Sequence, residues 1–112
     1  MSGEYGTIAS RAAFREELRR AIAMASKLVA KYPAHPAFQV IGKQLDVMQK
    51  TTDGRDPSED ERQSIDVGLV VVRELEGWRE EDVFELGQAI HPLAAFYEDW
   101  PTDEDARREA LG

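Results

Sequence analysis

Apolar residues recur at helical spacing in four stretches of the chain, and no run alternates convincingly enough to define a strand. Ser10 is suited to cap a helix in which Phe14, Leu18, Ala21, Ala25, Leu28 and Tyr32 follow at intervals of three and four. Lys27 and Lys31 fall in its last turns, where cations suit the helix dipole, and Pro33 stops it. A second helix is predicted from Pro36, with Phe38, Ile41, Leu45 and Met48 on one side. The Asp53-Gly54 pair in "TTDGRD" then marks a turn.

The third stretch is the most apolar. Its start can be capped by Asp56 with Pro57 and Glu59, or by Ser58 with Glu61. Ile65, Leu69, Val72 and Leu75 form a helical stripe, and Val67, Val70 and Val71 widen it nearly all round. β-Branched residues favour strands, but the capped start and the absence of a partner strand favour a helix running to Glu76. A helix apolar on most faces is expected at the centre, with Leu45, Leu69, Val72 and Leu86 all buried. The fourth helix carries Val83, Leu86, Ile90, Leu93 and Tyr97 inward, with Glu80, Glu81 and Asp82 in its first turn. Pro92 is expected to kink or split it after His91. Gly42, Gly68 and Gly87 lie inside helices, which points to close helix crossings.

The pattern therefore predicts an all-α fold, a small antiparallel bundle of four main helices forming one domain over 1–112. Segments 1–9 and 101–112 read as flexible ends, the latter alternatively as a short helix capped by Thr102. At 112 residues, with 42% hydrophobic and 32% charged residues, the chain has the composition of a soluble globular domain. It contains no cysteine, which excludes disulfides and thiolate metal sites and fits a reducing compartment. "MSGEYGTIAS" lacks a basic flank ahead of an apolar core, and no apolar run is long enough to span a membrane. A cytoplasmic location is expected.

Charge divides the chain. Residues 1–52 hold 8 Lys/Arg and 4 Asp/Glu, a net of +4, whereas residues 53–112 hold 6 and 18, a net of −12. An acidic half repels phosphate backbones, so nucleic acid is excluded as a partner and a basic protein surface is favoured.

Chemistry is sparse. His35 and His91 each precede a proline without Glu-x-x-His or His-x-x-x-His spacing, so they are read as a helix cap and a kink marker, not as zinc ligands. "DGRDPSEDE" fails as a calcium loop, because placing Gly54 at the sixth position puts Gln49 where a coordinating aspartate belongs. There is no phosphate-binding glycine loop and no recognisable nucleophile motif. Paired acids such as Glu80 and Glu81 suit a solvated helix start better than catalysis. No cofactor, metal, small-molecule substrate or enzymatic activity is expected.

The chain resembles the small helical immunity proteins that protect bacteria from a type VI secretion effector with NAD(P)+ glycohydrolase activity. The resemblance runs from about Ala21 to Leu86. It rests on the joint spacing of Tyr32-Pro33, Lys43-Gln44-Leu45, Arg55, Gly68, Val72-Arg73-Glu74 and Leu86. After Gly87, including "HPLAAFYEDWP", the chain departs from the family pattern. The resemblance implies a catalytically inert bundle that binds the toxin domain in the cytosol and covers its active site. Loops on rigid scaffolds often carry recognition. The expected contact residues are therefore Asp53, Arg55, Asp56, Glu59, Asp60 and Asp66, with Glu76, Glu80 and Glu81 as a second group. The alternative is a self-associating adaptor using "AAFYEDW" as an exposed aromatic patch.

Overall fold

The computed structural model describes residue 8 and residues 10–75 and 77–101. Among these every regular element is helical. α1 spans Arg11–Lys31 and α2 Pro36–Thr52; α3 (Glu59–Gln63) and α4 (Val67–Val70, continued by a π-helical turn, Val71–Leu75) follow, and α5 spans Glu81–Glu98. α1 packs against both α2 and α5, and α4 with its π-helical turn fills the space between α2 and α5. The result is the expected all-α bundle.

Local sequence sets most boundaries. The Ser10 hydroxyl accepts from the Ala13 amide at 3.1 Å and starts α1. Phe14, Leu18, Ala21, Ala25 and Leu28 then present one fully buried stripe, and each large side chain taken out of water contributes about 1.5–3 kcal/mol. Pro36 opens α2 at a position where its missing amide costs no helical bond, with His35 at the N-cap. The His35 side chain makes no capping bond, however. It packs between Phe38 and Trp78, at ring separations of 5.3 and 5.1 Å. Gly54 turns the chain with φ +73°, a backbone conformation that glycine adopts freely, and so bears out the Asp-Gly turn.

The third stretch is not one helix. Of its two possible caps the structure uses Ser58: its hydroxyl accepts from the Glu61 amide, and the Glu61 carboxylate accepts from the Ser58 amide. The chain breaks at Ser64–Asp66 and restarts, and the restart rotates the apolar face. Val67, Val70, Val71 and Leu75 point inward, while Leu69 is 60% and Val72 48% exposed. The expectation that Leu69 and Val72 are core is thus overturned. A stripe drawn through 65, 69, 72 and 75 assumes an unbroken α phase. The π-helical turn instead brings together residues five apart, such as Val70 and Leu75. The segment is covered on two sides and open on a third, so it is not a fully enclosed central helix.

Pro92 has the opposite outcome. α5 continues unbroken from Glu81 to Glu98, so it does not split. Leu86, Ile90, Leu93 and Tyr97 are fully buried on both sides of Pro92, and their burial outweighs the roughly 3 kcal/mol cost of an interior proline. The glycines also differ from one another. A Cβ at Gly87 would lie 3.3 Å from Val71 Cγ1 and one at Gly68 3.8 Å from Ala94 Cβ, but nothing lies within 4 Å of one at Gly42. Gly87 and Gly68 mark helix crossings, and Gly42 does not. Ile8 packs against the core and the Pro101 carbonyl accepts from Arg11, so these two edge residues are held. The proposed Thr102 helix lies outside the described residues.

Candidate partner-binding site

Asp56 and Glu76 aside, the acids singled out from sequence fall in three separate places. Asp53, at the C-terminal end of α2, borders a small depression shared with Arg15, Arg19 and Lys50, so its charge is surrounded by cations. Glu80 and Glu81 sit at the start of α5. At 1.5 Å rise per residue they lie about 20 Å or more from the last turn of the same helix. Glu76 lies outside the described residues. Glu59 and Asp66 come together on a groove, with Asp60 exposed nearby on α3.

Two of the predicted contact residues have internal work. Arg55 pairs with Glu61 through both terminal guanidinium nitrogens, at 2.8 and 3.2 Å. That hydrogen bond holds the Glu61 carboxyl below its usual range, helped by the Ser58 amide, and raises Arg55. Asp56 accepts from the Trp100 indole at 2.9 Å and pairs with Arg11 at 3.0 Å, while Arg11 lies over the Trp100 ring at 5.2 Å. Asp56 is therefore a latch between the linker and both ends of the bundle. Trp100 is 5% exposed and Tyr97 fully buried. Tyr97 meets Thr51 through a hydroxyl–hydroxyl bond of 2.8 Å, and burial pushes its phenol above the ordinary value. In "AAFYEDW" the Tyr97 and Trp100 rings are thus core and Phe96 is half-buried, so the segment does not present the exposed aromatic patch on which the adaptor alternative rested.

The groove has a volume of about 680 Å³. One wall is Glu59, Arg62 and Gln63 of α3; the other is Ala94, Ala95 and Glu98 of α5; Ile65, Asp66 and Leu69 close it from the α4 side. Arg62 donates to the Glu98 carbonyl at 3.0 Å, tying the two walls. Asp66 is fixed by Gln44, whose side-chain amide donates to its carboxylate at 2.6 Å and accepts from its backbone amide at 2.9 Å. Leu69, Ala94, Ala95 and Glu98 were missed by sequence reasoning, because the first was assigned to the core and the others come from a distant helix. The one available signal was the excess of apolar residues between 65 and 75, more than a single helix could bury in a domain this small. No group of three or more His, Cys, Asp or Glu able to hold a metal occurs among the described residues, and no described helix is long and apolar enough to cross a membrane.

Residues 13–98 match the Tsi6 family. The chain belongs to it. Tsi6 is a type VI secretion immunity family and not an enzyme family, and membership implies a cognate effector protein as the binding partner. The Tsi6 match starts before Ala21 and ends at Glu98, so it takes in the segment after Gly87 that was expected to diverge. Both walls of the groove up to Glu98 lie within the matched Tsi6 region. No curated protein and no solved structure matches the chain.

Proposed function

We propose that this protein is an inert cytoplasmic inhibitor of the toxin domain of a type VI secretion effector, an NAD(P)+ glycohydrolase, whose active site it occludes. The observation that carries this reading is the family match across residues 13–98. A cleft that binds a dinucleotide must attract phosphate and is therefore electropositive, and the −12 charge of residues 53–112 complements it. The contact set predicted from sequence is retained as part of this reading, with Glu59, Asp60 and Asp66 the best placed of it. Asp53, Glu80 and Glu81 stand at its periphery; Arg55 and Asp56 act by holding the linker in shape.

Co-expression tests it. The toxin domain of the effector encoded beside this gene should deplete cellular NAD(P)+ and halt growth, and this protein should restore both. Purified alone, it should not hydrolyse NAD(P)+. Growth arrest without dinucleotide loss would show that the toxin attacks another substrate, and failure to rescue would refute the inhibitor reading.

A further inference from the structure

We infer that the groove between α3–α4 and the last turns of α5 is the slot that receives the toxin domain, and that it takes a positively charged segment seating one apolar side chain against Leu69. This deepens the inhibitor reading and rests on it.

Three properties coincide here. The first is exposed apolar surface inside a concavity: Leu69 stands 60% exposed beside Ala94 and Ala95, whose small side chains leave room for an incoming group. Phe84 is equally exposed but borders none of the described depressions. The second is net negative charge, three carboxylates against one guanidinium. Glu59, Asp66 and Glu98 rim the groove, and among the described residues the only cation lining it is Arg62, which is turned to the Glu98 backbone and leaves the lining net negative. The Glu59 and Asp66 carboxylates accept from the neutral amides of Gln63 and Gln44, which orient them without cancelling their charge.

The third is rigidity. The capping box, the Arg55–Glu61 pair and the Gln44–Asp66 exchange fix the wall before a partner arrives, which reduces the ordering cost of association. An acidic rim around an apolar floor selects a Lys- or Arg-bearing protein segment with one aliphatic or aromatic residue, and repels nucleic acid.

The probe is the catalytically inactivated toxin domain of the adjacent effector, titrated against the full chain. Leu69→Arg puts a cation where the partner's cations must come, and its exposure predicts unchanged helicity and melting. Affinity should fall at least about 30-fold, as when a hot-spot anchor is lost. Glu59→Lys with Glu98→Lys should slow association roughly tenfold at low salt, with the difference shrinking at high salt. Glu80→Lys with Glu81→Lys should bind nearly as the unaltered chain does. Hydrogen exchange in the complex should slow at 65–69 and 94–98.

Unchanged binding by Leu69→Arg, or protection centred on Glu80–Glu81, overturns the slot while leaving the inhibitor reading in place. Failure of the unaltered chain to bind the toxin domain overturns both. A groove occupied instead by the basic α1 face of a second copy would appear as self-association abolished by Leu69→Arg, and would also overturn the proposal.

Discussion

Gln44 and Asp66 exchange two hydrogen bonds across 22 residues of sequence: amide to carboxylate at 2.6 Å, and backbone amide to side-chain carbonyl at 2.9 Å. The pair joins the middle of α2 to the residue before α4, where the third apolar stretch breaks and restarts. Gln44→Ala should remove both bonds and lower stability by about 1–2 kcal/mol. Thermal melting with hydrogen exchange at 65–69 checks it, and local exchange should rise more than the global loss requires. An unaltered exchange pattern would mean that other contacts set the restart.

The rotated face of this segment makes neighbouring valines unequal. Val71→Asp places an unpaired charge against Gly87 in the core and should cost about 3 kcal/mol or more. Val72→Asp should stay within about 1 kcal/mol of the unaltered protein, because Val72 is half exposed. Chemical denaturation of the two variants side by side reads the phase of the segment directly. Equal losses would restore the unbroken helix expected from sequence.

The helical glycines should also separate. Gly42→Ala meets open space and should gain about 0.5–1 kcal/mol from helix propensity. Gly87→Ala brings a methyl to 3.3 Å from Val71, and the repacking should cancel or reverse that gain. Melting temperatures moving upward together would show that the α5 crossing is looser than its geometry.

Two surface carboxylates link stability to pH. The hydrogen bond from Lys31 holds Asp82 below its ordinary 3.8, and the bond from Arg55 holds Glu61 below its ordinary 4.5. Each folded value is depressed. The stability each contributes is therefore fully present above those ordinary values and is lost as pH falls through the folded ones. Unfolding curves between pH 6 and 3 should become shallower in pH for Glu61→Gln and for Asp82→Asn. Parallel curves would show that neither pair is linked to folding.

The first two helices and the inner face of α5 were legible because local rules suffice there. Phe14 to Leu28, Phe38 to Met48 and Val83 to Tyr97 each keep one α phase and lie buried on that phase. Ser10, Pro36 and Gly54 act on their immediate neighbours, so their roles could be read from them. Leu69 and Val72 were misread because the chain breaks at Ser64–Asp66 and restarts into a π-helical turn, beside a contact with Gln44 on another helix. Of the two outcomes expected at Pro92, a split does not occur, because burial elsewhere on α5 outweighs a local preference. The groove could not be read at all: its walls, Glu59 and Glu98, meet only after α3 and α5 have packed. Charge composition pointed toward an acidic recognition surface but could not separate Asp53, surrounded by arginines and a lysine, from Asp66, which faces the slot.

The latch formed by Arg11, Asp56 and Trp100 also fixes where the polypeptide could be cut and rejoined. Because Arg11 reaches the Pro101 carbonyl, the beginning and end of the described bundle are neighbours. A short linker could join them, and the chain could be reopened at the exposed Gly54 turn. Such a circular permutant would carry its new termini in the linker between α2 and α3. The helices would be threaded in a new order around the same core, and their native register could be checked by comparing circular dichroism and melting with those of the original chain.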